Sequence, residues 1–374
     1  MPASRFRFLP VLLGVALSAL IFQGHAQGVS TQTTAGESAS LERFNVGGLG
    51  GWDFLTFDPP GQRLFIARGD RVQVWSALDK KVVAEIAGTA GVHGVALAQE
   101  LKRGFTSNGR ANTVSVFGLD DLKITKTIDV GDNPDAILYE PVLKRVYAFN
   151  GRSRSVSVID AAGLSVLATV PLGGKPEVAV ADGAGHVFVN IEDTAELVVI
   201  DQASNRIQAR WPLKPCVEPT GLAIDVAHRR LFSVCSNNKM VIVDADSGRL
   251  LAEAPIGDGP DGVEFDPSSG KAFSANGQGT VTVVQEADAQ HFDAVATIPT
   301  QARARTLALD PASHRIYLVT ASFGPTPVPS GDGSRPRPPM LRDTFTVLVL
   351  TPRWSLPPLR PKAPLRAAAG EPVH

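Results

Sequence analysis

The sequence alternates short apolar runs with polar turns, and this alternation repeats in units of about 40 residues. A clear unit lies between residues 135 and 172, where turn residues separate four β-type runs. The first run of each unit follows the pattern x-small-apolar-x-apolar-acid, which occurs in one phase along the chain. The copies begin at Asp53, His93, Asp135, Glu177, Thr220, Asp261 and Arg305. Four strands per unit of this length are typical of a propeller blade, so the pattern predicts an all-β, seven-bladed β-propeller.

The last repeat is incomplete at its C-terminal end, and this bears on how the ring closes. Residues 305–320 supply two strands and residues 345–350 a third, whereas residues 41–46 have the pattern of a spare fourth strand. We expect this N-terminal strand to pair with the C-terminal blade, because a closed ring leaves no open sheet edge. The predicted propeller domain therefore spans residues 41–351.

Acidic residues follow many of the predicted strands. Asp58, Asp266 and Asp310 each precede proline, and Asp160 and Asp244 end apolar runs. Aspartate side chains accept hydrogen bonds from the backbone of a following turn, and proline fixes the backbone angle there. We therefore interpret these acids as turn caps.

The first 26 residues have the pattern of a signal peptide. Arg5 and Arg7 precede an apolar run at residues 8–22, and small residues at positions 24 and 26 suit a signal-peptidase site. The run is short for a membrane span, although an uncleaved anchor is the alternative. Export predicts a periplasmic or secreted protein.

Three further segments fall outside the repeat pattern. Residues 27–40 are small and polar and are predicted to form a flexible leader. Residues 322–343 are rich in proline and glycine and interrupt the last repeat as a long loop. Residues 352–374 form a proline-rich basic tail, in which Trp354 offers a docking point.

Composition narrows the possible functions. Hydrophobic residues make up 44% of the chain, which is ample for a large core, and the formal net charge is −1. Removal of the two N-terminal arginines makes the mature domain more acidic. This balance argues against a nucleic-acid partner or an anionic membrane surface. We expect a monomer without a membrane span in its mature form.

The second and third strands resemble a known repeat. Residues 145–160 read RVYAFNGRSRSVSVID, preceded by a glycine-containing VGDNPDAI. This is similar to the repeat of YVTN-repeat (YncE-like) seven-bladed propellers. Residues 147–150 stand where that family has Tyr-Val-Thr-Asn, and residues 187–190 are another variant. Over residues 44–350, the resemblance implies a propeller fold and export, and many family members have no assigned reaction.

In a propeller the first strand of each blade lines an axial channel, so the repeat-start residues should surround one mouth of it. We call these seven residues the mouth ring. Loops after the second strands should open on the same face and add ligand-binding candidates. These are Arg68, Asn108, Asn150, Asn190 or Glu192, Asn237 and Asn276. The ring allows three interpretations: a solvated channel lining, a site for a small molecule or peptide, and a metal-assisted catalytic site.

The carboxylates of the mouth ring bear on the catalytic interpretation. Crowded carboxylates raise one another's pKa or bind a cation. Oxygen ligands suit Ca²⁺ or Mg²⁺, and a single histidine disfavours zinc. The candidate metal ligands are Asp53, Asp135, Glu177 and Asp261. No cofactor is required by the other two interpretations.

Two basic residues of the mouth ring have alternative roles. His93 stands between two carboxylates and is a candidate general base, or it forms a hydrogen bond to the neighbouring blade. Arg305 pairs within the ring, with Asp261 or Asp53, or it holds a substrate carboxylate.

The two cysteines, Cys216 and Cys235, should reach the same rim of one blade. An exported protein favours a disulfide between them, and a free thiol pair is the alternative.

Two hypotheses for function follow from this pattern. In the first, the protein is an exported binding protein that uses the channel mouth for a small ligand or a protein segment. In the second, it is a divalent-metal-dependent hydrolase or lyase of the lactonase type, in which the metal polarises a carbonyl or activates water and His93 moves the proton.

Overall fold

The computed structural model describes residues 38–326 and 338–353, which form antiparallel β-strands joined by tight turns. Five sheets have four strands and one has seven. A 3₁₀ turn, Gln99–Leu101, connects β5 and β6. The predicted signal peptide, most of the leader, the middle of the 322–343 loop and the tail with Trp354 lie outside the described residues.

The strands follow the order of the chain from sheet to sheet. The seven-stranded sheet contains β2 (Leu55–Asp58), β3 (Arg63–Ala67), β4 (Gly69–Ser76), β5 (Lys81–Ala98), β6 (Arg103–Asn108), β7 (Thr113–Gly118) and β8 (Ile124–Asp129). The next sheets contain β9 (Pro134–Glu140), β10 (Arg145–Asn150), β11 (Ser155–Asp160) and β12 (Ser165–Pro171), and then β13 (Pro176–Ala181), β14 (His186–Ile191), β15 (Glu196–Asp201) and β16 (Arg206–Pro212).

The remaining three sheets complete the ring. They contain β17 (Pro219–Asp225), β18 (Arg230–Cys235), β19 (Lys239–Asp244) and β20 (Leu250–Pro255); β21 (Pro260–Asp266), β22 (Lys271–Asn276), β23 (Thr280–Glu286) and β24 (Phe292–Pro299); and β1 (Ser38–Asn45), β25 (Leu307–Leu309), β26 (Ile316–Thr320) and β27 (Thr346–Arg353).

Strand β5 belongs to two units of the sheet that contains it. Residues 81–87 pair with β4, whereas residues 92–98 pair with β6. When β5 is counted once in each role, the strands make seven four-stranded units. The first strands of these units also contact one another in a closed cycle, from β2 through β5, β9, β13, β17, β21 and β25 back to β2. The prediction of a propeller is confirmed.

The N-terminal strand closes the last sheet, as predicted. β1 pairs antiparallel with β27, with Leu41 opposite Leu350. β1 begins at Ser38, within the segment predicted as leader, and β27 continues to Arg353, within the predicted tail. The extra pairs lengthen the seam between the chain ends, which satisfies backbone groups of two strands that would otherwise be sheet edges.

Burial differs between the middle and the outer strands of a sheet. Middle strands such as β10 (Arg145–Asn150) are almost continuously buried, which explains their unbroken apolar runs. Outer strands such as β16 (Arg206–Pro212) alternate between exposed and partly buried residues. Aromatic rings join neighbouring sheets, and Phe57 stacks on Tyr317 with a centroid distance of 4.8 Å. The core therefore lies between the sheets, around the axis.

The acidic turn caps are confirmed by their hydrogen bonds. Asp58 Oδ1 accepts a bond from the Gly61 N–H, and Asp266 Oδ1 accepts one from the Ser268 N–H. Asp244 does the same for Ser247. The turns at Asp58 and Asp266 join the first and second strands of their units, and the turn at Asp244 joins a third strand to a fourth.

The predicted disulfide is present. Cys216 and Cys235 are bonded with an S–S distance of 2.06 Å and are both buried. The bond joins the loop before β17 to the end of β18. No helix in the described part of the chain has the length and apolar character needed to cross a membrane.

Candidate ligand-binding site at the channel mouth

The structure brings three members of the mouth ring together on neighbouring first strands. His93 Nδ1 lies 2.6 Å from Asp53 Oδ2 and 3.6 Å from Asp135 Oδ1. The backbone also joins these strands, because the Phe54 N–H donates to the His93 carbonyl at 3.0 Å. The histidine ring is thus held through Nδ1 by a carboxylate. This arrangement leaves Nε2 able to form a hydrogen bond with another group.

Elsewhere in the mouth ring the charged groups are paired internally. Arg305 Nε lies 3.1 Å from Asp261 Oδ2, as one of the predicted alternatives requires. Lys175 Nζ lies 2.7 Å from Glu177 Oε1 and also contacts Glu192. These partners neutralise carboxylates that would otherwise repel one another.

Two other polar residues of this face also form internal hydrogen bonds. Thr220 Oγ1 donates to the Pro260 carbonyl at 3.1 Å. Asn237 Nδ2 donates to the Pro215 carbonyl at 2.9 Å, within the loop that the disulfide closes.

Four asparagines predicted to bind ligand are buried inside the sheets. Asn108 Nδ2 donates to Thr113 and Ser115, and Asn276 makes the equivalent bonds to Thr280 and Thr282. The other two also bond within the protein: Asn150 to Ser155 and Ser157, and Asn190 to the Thr220 and Gly221 carbonyls. Because these amides already have partners and have almost no exposed surface, their position does not match the predicted role at the mouth.

Arg68 is likewise buried rather than available to a ligand. Its Nη1 donates to Gln73 Oε1 at 3.0 Å and its Nη2 to the Leu49 carbonyl at 3.0 Å. The guanidinium carbon lies 3.4 Å from the ring centroid of Phe345. Burial lowers the pKa of Arg68 to about 10. Arg68 therefore joins the first sheet to the last one.

A pocket of about 460 Å³ opens beside the Asp53–His93 pair. The polar groups around it are Asp53, His93, Arg110, Asn112, Asn133 and Arg152. We call this the mouth pocket. Arg110 and Arg152 are exposed, and neither forms an ion pair with a residue that the structure describes.

Neither arginine is among the predicted site residues, although the sequence contains a signal for both. Asn-Gly-Arg occurs after the second strand in two successive repeats, at residues 108–110 and 150–152. The asparagine turns inward to hold the sheet, and the arginine two positions later lines the pocket. The glycine between them is also required, since a Cβ at Gly109 would lie 2.7 Å from His93 Nε2.

Burial and neighbouring charges shift the pKa values of the site. Burial alone would lower the pKa of His93, but the hydrogen bond to Asp53 and the charge of Asp135 raise it overall. Burial raises the pKa of Asp135, with the charge of His93 opposing it. Burial, together with the charge of Asp135, raises the pKa of Glu177 to about 8. The mouth therefore holds an imidazole and two carboxyl groups whose pKa values are raised, as is common at functional sites.

Part of the predicted metal-ligand set meets at one point. Ligand atoms of Asp53, His93 and Asp135 all lie within 4.8 Å of one another. Glu177 and Asp261 do not belong to this group, and their carboxylates contact Lys175 and Arg305 instead. Two carboxylates and one imidazole form a donor set that a divalent cation can use.

Comparison with known proteins identifies the fold. The chain is similar to hydrazine synthase of Kuenenia stuttgartiensis, with 20% identity, a TM-score of 0.62 and coverage of 73% of this chain and 93% of that one. It is also similar to U3-55K (12% identity, TM-score 0.69, coverage 82% and 98%) and to the RRP9 WD40 repeats (12%, 0.70, 84% and 99%). These likenesses show a β-propeller.

No family model and no curated protein matches this sequence. The resemblance to YVTN-repeat propellers therefore stays a prediction, as does the export signal.

Proposed function

We propose that this protein is an exported binding protein whose mouth pocket holds an anionic group of a small ligand or of a protein segment. The observation that supports this most directly is that Arg110 and Arg152, which have no ion-pair partner among the described residues, lie around one pocket of about 460 Å³. Guanidinium groups bind carboxylates and phosphates through paired hydrogen bonds.

His93 adds a third positive group to the same pocket. Its pKa is raised, so a larger fraction of the ring is protonated near neutral pH than in free histidine. Asp53 holds the ring by Nδ1, and Nε2 lies beside Gly109 at the pocket wall. Asp53 balances the charge of the protonated ring, so His93 would offer an anionic ligand a hydrogen-bond donor at Nε2 in a concave site that is partly shielded from water.

The matching experiment removes the two guanidinium groups together. Glutarate and a short glutamate-rich peptide serve as probes, with affinity measured by calorimetry on the protein and on the Arg110→Gln/Arg152→Gln variant. We expect binding that weakens at least tenfold in the variant, since each lost charge-assisted contact contributes about 1.5–3 kcal/mol.

Arg206→Gln is the matched control, because Arg206 is exposed on β16 and has no ion pair among the described residues. Equal affinity for the double variant and the wild-type protein, or no binding of either probe, would contradict the proposal.

A second candidate function is a divalent-metal-dependent hydrolase or lyase, which the grouping of Asp53, His93 and Asp135 favours. A bound metal would supply Lewis acidity, and these three residues would hold it. Metal analysis of the purified protein, with melting temperature measured with and without chelator, separates the candidates. Retained Ca²⁺ or Mg²⁺ and a lower melting temperature after chelation would favour the enzyme; no response to chelator or to added metal would count against it.

A further inference from the structure

Below the mouth ring, the axial channel is lined almost entirely by apolar side chains. It encloses about 290 Å³ and receives residues from all seven first strands. The third position of every repeat copy contributes an aliphatic residue, from Leu55 in the first copy to Leu307 in the last. In this described part of the axis the lining side chains are thus mostly aliphatic, and the polar surface comes from backbone groups, Thr56 and Glu264.

Glu264 is the exception within this apolar channel. It occupies the fourth position of its repeat copy on β21, and its partly exposed side chain lines the channel. The other copies have Thr56, Ala96, Leu138, Val180, Ala223 and Ala308 at that position. The side chain of Glu264 forms neither a hydrogen bond nor an ion pair with any residue in the described ranges, although its backbone belongs to the β21–β22 pairing.

Other carboxylates on this strand and the strand beside it have partners. Asp261 lies 3.1 Å from Arg305, and Asp266 Oδ2 lies 3.0 Å from His314 Nδ1. On β17, Asp225 Oδ2 lies 2.5 Å from His228 Nδ1. Each of these sits near an end of its strand, whereas Glu264 faces the apolar interior. Burial raises the pKa of Glu264 to about 7, and no neighbouring charge lowers it.

An unpaired carboxylate that faces aliphatic side chains is unfavourable for stability to the extent that the channel shields it from water. A ligand that supplies the missing positive charge would remove this cost. The surrounding side chains would contact an apolar body. A cavity of about 150 Å³ holds one benzene ring, so this channel has room for a ring and a short side chain.

We propose that the axial channel binds a small primary amine with an apolar body, with the ammonium group on Glu264 and the body against the aliphatic lining. This site is separate from the mouth pocket, and the proposal does not depend on the proposed function.

The test uses two probes of the same shape that differ in charge, 2-phenylethylamine and 2-phenylethanol. Affinities are measured by calorimetry at pH 8 on the wild-type protein and on Glu264→Gln. We expect the wild-type protein to bind the amine at least tenfold more tightly than the alcohol. In Glu264→Gln the preference for the amine should disappear, while affinity for the alcohol stays within about twofold.

Dependence on pH gives a second readout on the wild-type protein. Ionisation of a carboxyl with a pKa of about 7 increases between pH 6 and pH 8, while the amine stays protonated. Amine affinity should therefore rise about tenfold over this interval, and alcohol affinity should not change.

Three control variants locate the bound amine. Glu253→Gln removes an exposed carboxylate on β20 and should have no effect. Arg110→Gln/Arg152→Gln should also leave amine binding intact, even if it abolishes binding at the mouth pocket. Loss of amine binding in Asp261→Asn but not in Glu264→Gln would place the amine at the mouth ring and overturn the proposal. Equal affinity for the two probes, or binding of neither, would overturn it as well.

Discussion

The mouth ring and the axial channel are built from the same first strands, yet a carboxyl group has different neighbours in the two places. Asp261 and Glu264 lie on β21, and burial raises the pKa of each to about 7. At the mouth, Asp261 forms an ion pair with Arg305, whose side chain is 54% exposed. In the channel the walls are aliphatic and Glu264 has no partner among the described residues. The carboxylate of Asp261 is therefore part of an ion pair within the protein. The carboxylate of Glu264 would gain a partner of opposite charge only from a bound ligand.

The mouth ring itself contains a further contrast. On one side Lys175 and Arg305 neutralise Glu177, Glu192 and Asp261. On the other side, Arg110 and Arg152 remain without ion-pair partners in the described ranges. Charges of the first kind should matter for stability, and charges of the second kind for binding.

The largest expected effect concerns Glu264 and pH. Its pKa is raised in the folded protein, so folding disfavours the ionised form and stability decreases as pH rises from the unfolded-state value through about 7. Between pH 5 and pH 8 this group should lower the free energy of unfolding by about 2–3 kcal/mol. Urea unfolding of wild-type protein and Glu264→Gln at both pH values measures the difference.

The substitution also places an amide in the channel, which changes the unfolding free energy equally at both pH values. The difference between the two pH values therefore reports only the ionisation of Glu264. Glu253→Gln, at an exposed position on β20, is the paired control and should keep the pH dependence of the wild-type protein. A pH dependence that is the same in Glu264→Gln and in the wild-type protein would mean that Glu264 is better solvated than its surroundings indicate.

Removal of Lys175 should have a smaller effect on stability. Lys175→Ala leaves Glu177 and Glu192 facing each other, and Glu177 is 10% exposed. Breaking a fully buried pair costs about 3–5 kcal/mol, but Lys175 is 40% exposed, so we expect about 1–2 kcal/mol at pH 8. Lys81→Ala, at an exposed position on β5, should change the unfolding free energy by less than about 0.5 kcal/mol. Similar losses of unfolding free energy in Lys175→Ala and Lys81→Ala would contradict the view that Lys175 neutralises the carboxylates around it.

The repeat pattern was enough to predict the fold, and together with the export signal it predicted the disulfide. Seven copies in one phase place equivalent residues around one axis, and a spare N-terminal strand leaves one way to close the ring. The same pattern placed Asp53, His93 and Asp135 beside one another, although they are far apart in sequence.

The roles of turn residues could not be predicted from the same pattern. Asn108 and Arg110 are both polar and two positions apart, so hydrophobicity does not tell which one turns inward. That depends on Thr113 and Ser115, which bond the Asn108 amide across the hairpin. The sequence shows Glu264 at a position that varies among the repeat copies. Only the folded channel shows that its side chain has no partner among the described residues.

The smallest expected effect concerns the orientation of His93. Asp53→Asn removes the charge that holds Nδ1, so the pKa of His93 should fall, as measured by NMR titration. Because the raised pKa stabilises the folded protein at low pH, the variant should lose stability at pH 5 and little at pH 8. The loss should stay below about 1 kcal/mol, since His93 and Asp53 are both partly exposed.

His291 provides an internal reference for this titration, because it bonds to Asp288 on an exposed turn that the substitution does not touch. A fall in the pKa of both histidines would indicate a change in the whole protein. A fall confined to His93, with reduced glutarate affinity, would link the ring to anion binding, whereas an unchanged pKa would mean that Asp135 alone sets the charge of His93.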